Sequence, residues 1–311
     1  MCGIVGLYLK DPSLEPSLGA LFAPMLLSMG DRGPDSAGFA IYGDEVPEGS
    51  LKLTLQNEDP ATDWQALATR FEQELGAPLE WFRNASAAVF KTAVAEDAAR
   101  EWLAAQAPGT QLMSVGRSIE ILKGVGHPRL VAERFSLAGM RGTHIIGHTR
   151  MATESAVSMA GSHPFSTGHD LCLVHNGSLS NHNRLRRQLQ REGMRFETDN
   201  DSEVAAAYLT WRMARGDTLT AALEGAIDDL DGFFTFAVGT RDGFAVLRDP
   251  IACKPAVLAE TDAFVAMASE YRALAKLPGI SGARVWEPEP GQVYVWEQRG
   301  STPQRMAETG S

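Results

Sequence analysis

The chain has 311 residues, with 28 Lys and Arg against 39 Asp and Glu and a formal charge of −11. That length can bury one large core or two ordinary ones, and the acidic balance argues against nucleic acid and anionic membrane as partners. No apolar run is long enough to span a bilayer, and the N-terminus lacks the basic-then-apolar pattern of a signal peptide. Three scattered cysteines, Cys2, Cys172 and Cys253, make no disulfide framework and fit a reducing, cytoplasmic setting. There is no CxxC or HExxH. His144 and His148 lie four apart, but in a stretch that reads as a strand, so no metal site is expected.

Met1-Cys2-Gly3-Ile4-Val5-Gly6 opens the chain with a cysteine directly behind the initiator. Cysteine is small enough for Met1 to be trimmed, which would leave its thiol and a free α-amine on one carbon. Such an amine titrates near pKa ~8 and a thiol near ~8.5, so one can serve as base for the other. Residues 3–9 read as a buried strand, and 17–29 repeat apolar positions at helical spacing up to Gly30. Asp31-Arg32-Gly33-Pro34-Asp35-Ser36 is a polar turn into a strand at 39–42. Residues 44–142 look like an inserted module. A strand at 51–55, a helix at 61–75, a strand at 86–92, a helix at 95–106 and one or two strands at 112–122 make a small α/β unit. It carries no nucleotide fingerprint, and a structural or docking role suits it.

The next block delivers polar clusters at the ends of apolar strands. Ile145-Ile146-Gly147-His148-Thr149-Arg150 is one, and Leu171-Cys172-Leu173-Val174-His175-Asn176-Gly177 is another that reads as ending in a tight turn. His163-Pro164 lies between them. A basic helix at 181–193 reads as a solvated face. Asp201-Ser202-Glu203 opens a helix, where Asp and Ser are good N-caps, and a second helix covers 218–230. Short strands follow at 233–239, 244–248, 256–259 and 264–268, with a last one at 293–297. The final dozen residues are polar and read as a disordered tail.

Together these pieces resemble the class II glutamine amidotransferase domain, an N-terminal-nucleophile (Ntn) hydrolase. The matching segments are Cys2-Gly3-Ile4-Val5-Gly6, Arg32-Gly33-Pro34-Asp35-Ser36, Gly147-His148-Thr149-Arg150-Met151-Ala152-Thr153, His163-Pro164, Val174-His175-Asn176-Gly177, Asp201-Ser202-Glu203, Arg248-Asp249-Pro250 with Lys254-Pro255, and Ala268-Ser269-Glu270. They occur in family order over residues 1–300. The resemblance implies an α+β fold, a four-layer αββα sandwich carrying the small inserted α/β module.

It also implies roles. Cys2 would attack the side-chain amide of L-glutamine, its α-amine relaying the proton. Asn176 and the Gly177 N–H would form the oxyanion hole. Arg150 would grip the substrate carboxylate with help from Thr153, Asp201 would take the ammonium, and His163 joins the substrate-binding set. Arg32 would belong to a loop closing over glutamine. A free-standing Ntn amidase acting on another amino-acid amide and a non-catalytic regulatory subunit that kept the fold are the competing readings. Met151 and the lack of a glycine between Pro250 and Lys254 depart from the purine- and hexosamine-pathway branches. The pattern is more similar to stand-alone amidotransferase subunits of glutamate-synthase-like enzymes, including the first subunit of N-methylglutamate synthase. That likeness implies no cofactor on this chain, and partners resembling the FMN-binding and glycine-rich β-helix subunits of glutamate synthase.

Overall fold

The computed structural model describes Cys2–Met151 and Val157–Glu297; the expected tail at 301–311 and Thr153 lie outside the described residues. Alternation along the first strand sets the architecture. In Gly3–Leu9 the side chains of Val5, Leu7 and Leu9 face one way and those of Ile4 and Tyr8 the other, and all are buried. A strand apolar on both faces must be covered twice. On one side lie the helices Leu18–Ser28, Pro128–Arg134 and Tyr271–Leu274, through Phe22, Met25, Val131 and Leu274. On the other lies a second sheet, through Val174, Phe244 and Val246.

The first sheet has seven strands in the order Arg284–Trp286, Val257–Glu260, Phe264–Ala268, Gly3–Leu9, His144–Arg150, Ser36–Tyr42 and Ile119–Val125. The second has five, Val293–Glu297, Gly243–Arg248, Gly232–Gly239, Leu171–Leu179 and Phe165–Gly168. All pairings in both are antiparallel. The outer face of the second sheet is covered by the helices His182–Arg191, Asp201–Ala214 and Leu219–Asp229, which bury Leu185, Leu189, Val204, Tyr208 and Leu223 against Phe234, Phe236 and Leu247. The four layers are those of the αββα Ntn-hydrolase sandwich.

A separate four-stranded antiparallel sheet, Leu79–Asn84, Ala87–Thr92, Leu51–Gln56 and Gln111–Gly116, carries the helices Trp64–Leu75 and Glu96–Gln106 on one face. Ile119–Val125 and Pro128–Arg134, read from sequence as part of an insertion over 44–142, belong to the first sheet and its covering helices. The separate unit therefore ends at Gly116. Its other face is polar and seats on the first sheet. Lys52 Nζ donates to Asp44 O, Ser118 O and Glu120 Oε1, and Gln56 Nε2 donates to Lys123 O at 2.6 Å. Buried polar side chains are tolerated there because each named group has a partner. No helix among the described residues is long and apolar enough to cross a membrane.

Candidate active site

Register brings the first cluster together. Gly3 pairs with Thr149 and Ser36 with Arg150, so Cys2 stands level with Arg150 at one end of the first sheet. The Asp31-Arg32-Gly33 turn lies directly on that end. A Cβ on Gly33 would fall 2.4–2.5 Å from backbone atoms of Thr149 and Arg150, so only glycine lets the turn approach this closely. The approach puts Arg32 over Cys2. Its Nε donates to Cys2 O at 3.0 Å and its Nη1 to Glu270 Oε1 at 2.6 Å. Arg32 is thus held on the cysteine backbone and a neighbouring carboxylate.

From the second sheet Asn176 Nδ2 reaches the same Cys2 oxygen at 3.4 Å. The tight turn expected at Asn176-Gly177 is not there. The strand runs on through Leu179, with Asn176 opposite Thr235 and Gly177 opposite Phe234. Gly177 has φ +151, and a Cβ on it would lie 2.0 Å from Phe233 O. The Asn-Gly pair therefore marks a point inside a strand that only glycine can occupy, and the side chain before it faces the gap between the sheets.

Arg150 donates from Nη1 to Gly161 O at 3.0 Å, and Asn200 Nδ2 reaches that carbonyl at 3.5 Å. One loop oxygen thus ties the end of the first sheet to the start of the Asp201–Ala214 helix. The capping expected of Asp201 or Ser202 falls to Asn200, whose side chain accepts from Ser202 N at 2.9 Å. Glu203 takes the N–H groups of Glu197 and Thr198 and the Thr198 hydroxyl. In the basic helix, Arg186 is part-buried and donates to the carbonyls of Thr198 and Asn200, holding the same loop.

With capping done by Asn200, Asp201 and Ser202 are left for other work. Asp201 Oδ2 accepts from Leu179 N at 2.9 Å. Ser202 Oγ lies 2.8 Å from His163 Nε2, 2.9 Å from His175 Nδ1 and 3.3 Å from Asp201 Oδ1. A hydroxyl has one proton and two lone pairs, and a carboxylate can only accept. All three bonds form when Ser202 donates to Asp201 and both imidazoles donate to Ser202. The nitrogens then left without partners, His163 Nδ1 and His175 Nε2, are bare acceptors rather than stranded N–H groups.

This arrangement needs neutral imidazoles, and burial supplies them. His148 stacks on His163 with centroids 4.0 Å apart. Desolvation pushes His148 down to about 3, and drives His163 well below the ordinary histidine range, with His148 and His175 adding to the effect. His175 is lowered by burial against the opposing pull of Asp201. His163, expected among the substrate contacts, is 7% exposed and its Nε2 is taken by Ser202.

Ser202→Ala would strand two buried N–H groups and remove a donor from Asp201. We expect it to lower unfolding free energy by about 1–3 kcal/mol, measured by denaturant titration, with Thr at the position recovering part of the loss.

Ser202, His148 and Glu270 sit inside motifs the sequence marks, but the partners that define them are distant: Ser202 meets His175 across 27 positions and Glu270 meets Arg32 across 238. The only signal for them is membership of those motifs. A cleft of about 580 Å³ opens elsewhere, lined by Ala93, Val94, Arg117, His169 and Arg241; none of the expected site residues borders it.

Residues 148–276 match the model of a glutamine amidotransferase domain. The chain is 59% identical over 300 residues to the glutamine amidotransferase-like protein GlxB of Rhizobium meliloti, covering 96% of this chain and 99% of that one. It is 29% identical to an amidophosphoribosyltransferase of Archaeoglobus fulgidus, over 95% of this chain but 48% of the relative. Among solved structures it resembles a glutamine phosphoribosylpyrophosphate amidotransferase from B. subtilis, with a TM-score of 0.59 at 20% identity. That match covers 95% of this chain and 47% of the other, and shows the fold.

Proposed function

Because the chain belongs to the class II glutamine amidotransferase family, a family of Ntn cysteine hydrolases that act on glutamine, we propose that Cys2, freed by removal of Met1, is its nucleophile. The thiol attacks the side-chain amide carbon of L-glutamine. The thiol proton passes through the Cys2 α-amine to the leaving nitrogen, ammonia departs, and a γ-glutamyl thioester remains. Water then attacks the thioester, glutamate leaves, and the thiol is restored. The Asn176 amide and the Gly177 N–H stabilise the oxyanion in both halves.

Arg150 grips the α-carboxylate, assisted by Thr153, and Asp201 takes the α-ammonium. His163 acts from behind, holding Ser202 and through it Asp201, and Arg32 closes the nucleophile's side of the site. The observation that carries the reading is the meeting at Cys2 O of Arg32, from the loop on the first sheet, and Asn176, from the second. A backbone oxygen gripped from both sheets is the mark of a chain start held in one pose.

The ammonia passes to a synthase on a separate polypeptide, in a complex resembling glutamate synthase with its FMN-binding and glycine-rich β-helix subunits. The sequence pattern, more similar to stand-alone amidotransferase subunits of glutamate-synthase-like enzymes than to the purine- and hexosamine-pathway branches, supports this. Purification from the source organism is expected to bring a flavin-containing partner along, with glutamine hydrolysis rising when the acceptor substrate is supplied. Elution alone, with full hydrolysis unaffected by any added subunit, would contradict the complex.

A further inference from the structure

Ala268-Ser269-Glu270 belongs to the pattern that marks this family, yet the reaction above gives Glu270 no part. Its surroundings do. Ser269 N donates to Ile4 O and Ile4 N donates to Ser269 Oγ, both at 2.9 Å, so this segment clips the chain two residues beyond Cys2. The next residue, Glu270, takes Arg32 Nη1 on one oxygen and Arg272 Nε on the other, each at 2.6 Å. Arg272 also reaches Asp31 at 3.1 Å. Arg32 and its neighbour are thus bracketed by one carboxylate and one further arginine.

We propose that Glu270 is a positioning residue for the Cys2 nucleophile, acting through Arg32; the proposal rests on Cys2 being that nucleophile. An arginine side chain has many rotamers, and a single hydrogen bond to a carbonyl does not select one. The Glu270 carboxylate fixes the guanidinium plane, and Nε on the same fork then meets Cys2 O at 3.0 Å. Fixing that carbonyl fixes the Cys2–Gly3 peptide plane. The plane sets where the thiol and the α-amine lie relative to Asn176 and Arg150. The arginines hold the Glu270 carboxyl below its usual range, Arg32 first, so the bracket stays charged around neutral pH.

The test uses the full chain with Cys253→Ser, so that the exposed thiol is gone and Cys172 stays buried. Five variants are compared: Glu270→Gln, Glu270→Asp, Arg272→Ala, Arg32→Gln, and Arg32→Gln combined with Glu270→Gln. Glu270→Gln is expected to lower kcat for glutamine about 10- to 100-fold with KM little changed, since a small misplacement of reacting groups costs that much. Alkylation of Cys2 by iodoacetamide needs no glutamine, and its pH midpoint is expected to move by more than about half a unit as the amine leaves the thiol.

Glu270→Asp should recover part of both. Arg272→Ala should change kcat less than about fivefold, as expected for a half-exposed pair. The double variant should lose little beyond Arg32→Gln alone, because the two act in one chain. Unchanged kcat and alkylation midpoint in both Glu270 variants would overturn the proposal. So would a rise in KM alone, or losses that add in full in the double variant. Absence of glutamine hydrolysis in the parent protein would defeat the functional reading instead, and the alkylation midpoints would still decide the role of Glu270.

Discussion

Cys2→Ser is expected to reduce glutamine hydrolysis by at least about four orders of magnitude while leaving the thermal midpoint near that of the parent. The hydroxyl is far less nucleophilic at neutral pH than a thiol beside an amine. The side chain is only partly buried, so little packing is lost. The backbone bonds that seat this residue, from Arg32 and Asn176 to its carbonyl, do not involve the sulfur. An N-terminal extension that keeps the α-amine in a peptide bond is expected to lower activity comparably, because the proton then has no carrier. Ammonia release measured on purified protein, with intact mass reporting the N-terminus, checks both. Full activity in the extended form would remove the amine from the mechanism.

Asn176→Ala should lower kcat about 100- to 1000-fold with a much smaller change in KM, the usual result of deleting one donor aimed at a developing oxyanion. The split follows from geometry. Asn176 faces Cys2 across the gap between the sheets, whereas Arg150 is tied to the Gly161 backbone and Asp201 to the Leu179 backbone. Truncating the amide therefore leaves the proposed grips on both ends of the amino acid. Steady-state kinetics with L-glutamine decides. A rise in KM with kcat intact would move Asn176 from the transition state to ground-state binding.

Much of the fold can be read from the sequence, because its strands alternate or run apolar between strong breakers. Val293–Glu297, Leu219–Asp229 and Glu96–Gln106 fall where periodicity puts them. Leu79–Asn84 escapes, since it is an edge strand whose apolar face amounts to Leu79 and Trp81, with exposed positions between and after them. Ile119–Val125 reads as a strand, but its sheet is chosen by pairing with Ser36–Tyr42, about 80 positions earlier, which periodicity cannot see.

The site divides the same way. Cys2, Arg150, Asn176 and Gly177 stand out as polar or glycine positions at the ends of, or within, apolar strands. Ser202 and Glu270 do not. A serine at a helix start looks like a cap, and only the Asn200 side chain occupying that role frees Ser202 for the two histidines. Glu270 meets Arg32 across 238 positions, a distance at which a lone carboxylate gives no local sign of its partner.

The most direct measurement is intact mass and peptide mapping before and after exposure to 6-diazo-5-oxo-L-norleucine, a glutamine-like alkylator. The expected result is a chain lacking Met1 that gains one adduct, located on Cys2 and suppressed by excess L-glutamine. A chain with Cys2 free that gains no adduct, or gains it on Cys253 whether or not glutamine is present, would contradict Cys2 as a glutamine-reading nucleophile.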